Sequence, residues 1–202
     1  MKKLLLLSVV CYLSFVPCSL LFAEGNTDKQ QDKTFTWSLA LQNVGKDEAV
    51  SFSAPVKSVT GDKYRIIINS EADCYCYVIA ETADDDVVVL HAGSLKGGAA
   101  WISPEIVLSL PNGSENFFIV ACREEPPDLV RAVASYQGST GPTQRRALMN
   151  EVFRLRSAVS QFREIPEKPV LMGGASRGES GKNEGVEFSG MDTYVKTISI
   201  EH

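Results

Sequence analysis

The sequence predicts an α+β protein, mainly β: an antiparallel β-sandwich or open barrel, with one short and one long helix before a C-terminal strand. Three observations predict it. Short apolar segments recur at near-regular spacing between turn residues from residue 34 to about residue 123, the apolar period then becomes helical between 127 and 163, and one more alternating segment closes the chain. Short strands punctuated in this way build two packed sheets or a closed one.

Met1 to Ala23 reads as a signal peptide. Lys2 and Lys3 supply the positive start, Leu4 to Val16 the apolar run, and Ala23 a small residue before Glu24 for cleavage. Two alternatives use the same residues. Extended to Phe22, the run reaches roughly 19 residues, the lower limit for an uncleaved membrane anchor, though Ser14, Pro17 and Ser19 weaken such a helix. Phe15-Val16-Pro17-Cys18 offers lipidation at Cys18, as in a lipoprotein, though Pro17 fits that box poorly. The expected location is therefore exported, periplasmic or envelope-associated, with contact to a membrane only through the N-terminus. Residues 24–33 are polar without an apolar period and read as a flexible leader. The single domain is expected over 34–202.

Within it, Phe35, Trp37, Leu39 and Leu41 alternate with Thr36, Ser38, Ala40 and Gln42, the signature of a half-buried strand. A second strand is expected at Ala49 to Phe52. Lys63 to Asn69, Cys74 to Glu81 and Asp86 to His91 read as a three-stranded meander, joined by turns at Ser70 to Asp73 and Thr82 to Asp85. A loop at Gly93 to Gly98 and strands at Ile106 to Leu110 and Phe117 to Arg123 follow. Pro126-Pro127-Asp128 starts a helix near 127–136, with Leu129, Val130 and Val133 as its apolar face. Leu148, Val152, Leu155, Val159 and Phe162 predict a longer helix over 142–163, ended by Pro166. Leu171 to Gly190, rich in glycine and charge, reads as a long mobile loop. Thr193 to Glu201 returns as a strand with Tyr194, Ile198 and Ile200 on one face, and must join the earlier sheet to keep those residues dry.

Removing the signal leaves about 179 residues, enough for one domain with a proper core. It also leaves 18 basic against 25 acidic side chains, a formal charge of −7, which favours solubility and argues against nucleic acid as the partner. Of the five cysteines, Cys74, Cys76 and Cys122 remain. Cys74 and Cys76 share a face of their strand, so either is a candidate for a disulfide with Cys122. The competing reading makes all three small apolar core residues. A zinc site of the three with His91 is disfavoured by the one-residue gap, tighter than the usual ligand spacing.

Catalytic and cofactor motifs are absent. Ser176 to Asn183 lacks the glycine, the hydroxyl residue and the strand-to-helix setting of a phosphate loop. Asp84-Asp85-Asp86 lacks calcium-loop spacing and reads as a solvated hairpin tip. The enzyme alternative is a secreted hydrolase or thiol-dependent enzyme pairing Cys74 or Cys76 with His91, since the other histidine is His202. At 100° per residue, Arg145, Arg156 and Arg163 fall within about 20° of each other beside the apolar stripe of the long helix, a candidate basic ridge for an anionic partner. Their alternative role is to lie along the core edge and meet carboxylates such as Glu151 or Glu164.

Cys74-Tyr75-Cys76-Tyr77-Val78-Ile79, the strand Glu115 to Val120 leading through Glu125-Pro126-Pro127 into a helix, and Tyr194-Val195-Lys196-Thr197-Ile198 together resemble the bacterial family called domain of unknown function 4384. The likeness covers most of Phe52 to His202. It implies an exported β-rich module, often appended to envelope or signalling domains, with no catalytic residues to carry over. The chain departs from the pattern in having no recognisable partner domain, and in reading Asp84-Asp85-Asp86 where a glycine is usual. The expected function is a non-enzymatic binding or scaffolding module of the bacterial envelope without a cofactor. Its partner would be an envelope protein or a cell-wall or lipid component, with Tyr75 and Tyr77 as contact groups if exposed.

Overall fold

In the computed structural model, which describes residues 35–160, 168–173, 182–190 and 192–202, the first alternating segment forms β1 (Phe35–Asn43). Trp37, Leu39 and Leu41 are buried, while Thr36, Ser38 and Gln42 on the other face are half-buried. There follow β2 (Glu48–Val50), β3 (Val56–Lys57), β4 (Lys63–Ser70), β5 (Cys74–Glu81), β6 (Val87–Leu95), β7 (Ala100–Ile102), β8 (Ile106–Val107) and β9 (Ser114–Cys122). Then come α1 (Pro127–Gly138), α2 (Pro142–Ser160), β10 (Lys168–Gly173), β11 (Lys182–Gly190) and β12 (Thr193–Glu201). The expected signal peptide, 1–23, and leader, 24–33, lie outside the described residues. Among the described residues, no helix is long and apolar enough to cross a membrane.

The strands form two sheets, so the fold is a sandwich and not a barrel. The first runs β10-β11-β1-β4-β7, with β2 also paired to β1 and β8 to β4; the second runs β3-β12-β9-β5-β6. Between them lies the main core, in which Trp37, Leu39, Leu41, Ile66 and Ile68 face Val78, Phe117, Ile119, Ile198 and Ile200. The opposite face of the second sheet is apolar too: Tyr77, Ile79, Phe118 and Val120 pack against Leu129, Val133, Leu148, Val152 and Leu155 of the two helices. The order is therefore sheet, sheet, helices. The uninterrupted apolar runs of β5 and β9 follow from it, because strands covered on both faces have no side to give to polar residues.

The helices are placed by signals in the sequence. Pro127 and Pro142 occupy first-turn positions, where the missing N–H costs nothing. Tyr136 ties α1 to the sheet by donating its hydroxyl to the Val87 carbonyl at 2.5 Å. β12 pairs with β9 along its whole length, Thr193 opposite Cys122 and Glu201 opposite Ser114, so the terminal strand enters the sheet as its apolar face required.

Three expectations are corrected. β4, β5 and β6 are not a meander: β4 pairs with β1 in the first sheet, and β5 with β6 and β9 in the second. The link between β4 and β5 is held from outside, Glu71 N–H donating to the Thr36 carbonyl and Gly98 N–H to the Ser70 carbonyl, so the chain crosses between sheets. Gly97 is required there, because a Cβ would come within 2.8 Å of the Glu71 carbonyl. The second correction concerns the span 171–190, expected as a mobile loop. Its two ends belong to β10 and β11, an antiparallel pair that continues the first sheet through β1, with Lys168 opposite Glu187 in register. Residues 174–181, which include most of the phosphate-loop-like segment, lie outside the described residues. Third, β3 and β7 occur where no strand was expected, each too short to leave a period in the sequence.

Phe188 of β11 is fully buried, its ring 5.0 Å from Trp37 and 4.6 Å from Tyr194. We expect Phe188→Ala to lower the unfolding free energy by about 3–5 kcal/mol in chemical denaturation. A loss under about 1 kcal/mol would mean that β11 is not part of the core.

Candidate functional site

The sulfur-bearing residues come first, because the sequence offered them as both staple and nucleophile. Cys74 and Cys76 point into the core between the sheets. In the β5–β9 register Cys122 stands opposite Tyr75 and Ala121 opposite Cys76, so the pleat turns Cys122 to the helix side. A disulfide needs Cβ atoms about 3.5–4.5 Å apart on vectors that converge, which residues on opposite faces of a sheet do not offer. All three thiols are free and buried, so neither the Cys76 to Cys122 nor the Cys74 to Cys122 bridge is formed. The spacing fixed the relation of Cys74 to Cys76, but the parity of the β9 register was not written in it.

Burial raises all three thiols. Cys74 and Cys76 are pushed up mainly by desolvation, Cys76 the more strongly, and Cys122 rises to about 11 for the same reason. A nucleophilic thiol requires the reverse, a thiolate favoured by nearby positive charge. His91 stands opposite Val78, and its ring is 5.0 Å from that of Trp101. Burial lowers its pKa, and its Nε2 is buried without a hydrogen-bond partner. His91 and Cys76 lie on neighbouring strands, opposite Val78 and Gly93 respectively, and the fold supplies packing around the thiols. Among the described residues no cluster of His, Cys, Asp and Glu has the arrangement of a metal site. Tyr77 is buried, its hydroxyl raised to about 12 by desolvation, and Tyr75 is half-buried, so neither is an exposed contact group.

The arginine ridge divides. Arg145 donates to the Asp85 carbonyl at the β5–β6 hairpin tip, a structural task. Arg156 lies eleven residues further on, about 16 Å along the axis, and is exposed. Arg163 lies outside the described residues. Glu151, expected as a partner for the ridge, instead pairs with Arg154 at 2.6 Å.

Arg156 lines a cleft of about 440 Å³ between α2, the second sheet and the segment Phe52–Pro55. On its floor the apolar helix-facing surface of the sheet gives way to polar residues, Glu81, Asn116, Thr197 and Ser199. Ser199 donates to Asn116 at 2.7 Å, and Thr197 Oγ1 is buried without a hydrogen-bond partner. Phe153 stands at the helix wall, 40% exposed and edge-on to Phe118 with centroids 5.5 Å apart. Lys196 also borders the cleft, but as the neighbour of Thr197 on β12 it leaves the sheet on the other face, its ammonium 5.6 Å from the Phe52 ring and 5.7 Å from that of Phe188. The lining carries two cations and one carboxylate, in a chain of formal charge −5.

Of these residues the sequence singled out Arg156 as a site group. Phe153 had a readable signal, since an aromatic one position past Val152 falls about 100° off the apolar stripe. Thr197, Asn116 and the Phe52–Pro55 wall had none, being brought together from separate strands by the pairing of β12 with β9. In comparison with known proteins, the chain matches no family model and no curated protein.

Free, shielded thiols predict a definite alkylation pattern. In native buffer without reductant, Cys74, Cys76 and Cys122 should react with iodoacetamide more slowly than free cysteine by at least roughly a hundredfold, and all three should react once the chain is unfolded. Two of them staying unmodified in denaturant until reductant is added would establish a bridge and contradict this arrangement.

Proposed function

We propose that the chain is an exported, non-enzymatic binding module of the bacterial cell envelope, and that it takes an anionic envelope component in the cleft beneath α2. The observation that carries the reading is the pairing of Arg156 with the exposed Phe153 at the mouth of a cleft whose floor is polar. A cation supplies attraction for phosphate or carboxylate, and an aromatic beside it supplies area for an apolar or ring portion of the same ligand.

Other features agree with this reading. The positively led apolar N-terminus is that of an export signal, and the resemblance to domain of unknown function 4384 implies an envelope module. The groups that would serve thiol chemistry are packed into the core and their pKa values are raised by burial, which favours recognition over the thiol-enzyme alternative.

The shared chemistry of lipid head groups and anionic polymers is separated by experiment. The protein is titrated with phosphatidylcholine vesicles with and without phosphatidylglycerol, and with a soluble poly(glycerol phosphate). The reading expects binding to at least one of the two anionic probes, weakened roughly tenfold by Arg156→Glu or Phe153→Ala and by added salt. Equal binding by both variants, or no binding to either probe, would overturn it.

A further inference from the structure

On the inner side of the second sheet, at the end away from the His91–Trp101 contact, the sandwich stands open. Val88 is paired with Ala80, whose side chain is 4% exposed, yet Val88 itself is 42% exposed. It borders a cleft of about 320 Å³ between β6 and the chain around β8, with Leu90, Ile106 and Phe117 toward its interior and Leu110, 74% exposed, at its rim. Val88, Val107 and Leu110 line this one cleft and are half of the large apolar residues exposed among those described.

Two further properties select an occupant. Among the described residues β6 pairs with β5 alone; on its outer edge the Val87 carbonyl is taken by Tyr136 and the Val87 N–H by the Asp86 carboxylate, and beyond Val87 no strand pairs with it, leaving that stretch open to an added strand. The lining is also of one sign: Asp84, Asp86, Glu105 and Glu115 contribute four carboxylates, and no lysine, arginine or histidine joins them. Glu105 is neutralised from outside by Arg65 and Lys63, at 2.8 and 3.4 Å. Glu115, 8% exposed, has His202 Nε2 at 3.5 Å. Asp84 takes a hydrogen bond from the Thr82 hydroxyl, which holds its carboxyl below the usual range and keeps it charged, and Asp86 lies beside it at the same tip.

We infer that this cleft docks an extended polypeptide segment of a partner protein, with lysine or arginine alternating with aliphatic residues, added as a strand to the open edge of β6. Backbone pairing with β6 supplies affinity, the aliphatic side chains fill the gap in front of Val88 and Leu90, and the basic ones meet Asp84 and Asp86. An anionic peptide is excluded by the same carboxylates. The surface is separate from the cleft beneath α2 and opposite in charge to it, so each can be tested without the other.

The probe is a labelled octapeptide alternating lysine and valine, compared with its glutamate–valine counterpart and with a copy N-methylated on alternate residues. The basic peptide is expected to bind, with salt-sensitive affinity, and to slow amide exchange within Val87–Leu95. The acidic and N-methylated peptides should bind at least roughly tenfold more weakly, as should the basic peptide to Leu110→Lys or Asp84→Lys, two exposed positions whose change leaves the core intact. Arg156→Glu should leave this binding unchanged. Equal binding of the N-methylated peptide, full affinity in both variants, or no binding of the basic peptide would overturn the inference. A concentration-dependent dimer that Leu110→Lys dissolves would give the edge to a second copy of the chain and overturn it as well.

Discussion

Burial of β5 and β9 on both faces is the constraint on which the other features rest. Val78, Ile79, Ile119 and Val120 are all fully buried, the first and third in the core between the sheets, the second and fourth beneath the helices. Each such side chain contributes about 1.5–3 kcal/mol on leaving water. A half-buried strand collects that from every other residue, whereas these two collect it from nearly all. The price is that both apolar layers must be present, since a bare sheet would leave Ile79, Phe118 and Val120 wet.

From this constraint the chemistry of the surface follows. The three thiols fall on doubly covered strands, so they are desolvated and their pKa values are raised. Where α2 stops covering the second sheet, its face turns polar at Asn116 and Ser199, and a cleft opens under Phe153 and Arg156. Where the two sheets part at β6, apolar residues of the inner face stay in contact with solvent, and a second cleft opens with a carboxylate lining. Each cleft marks the boundary of a layer. Both binding proposals rest on such a boundary and not on residues chosen for their reactivity.

The parts of this fold that were legible in the sequence are those in which one element decides its own environment. The alternation of Trp37, Leu39 and Leu41 sufficed for β1, and the spacing of Leu148, Val152 and Leu155 for α2, because a strand or helix with one wet face writes its period into the chain. What escaped depends on pairing between elements. Whether β4 lies beside β5 or across from it is set by hydrogen bonds to the Thr36 carbonyl and from the Gly98 N–H, both distant in sequence. The face of Cys122 was not legible, because a shift of one residue in the β5–β9 register exchanges it. β11 was missed because glycine and charge mask a strand that buries Phe188 against Trp37 and Tyr194. Arg156 was legible by its position beside the helix stripe, but the walls that make it part of a cleft come from segments up to about a hundred residues away.

The double burial is tested most directly by native-state amide hydrogen exchange across the denaturant range. If the sheet is held from both sides, the amides of β5 and β9 exchange last, through the same opening that unfolds α1 and α2, with a free energy equal to that of global unfolding. Exchange in β9 well before global unfolding, or loss of the helices in a separate earlier step that leaves β5 and β9 fully protected, would contradict it.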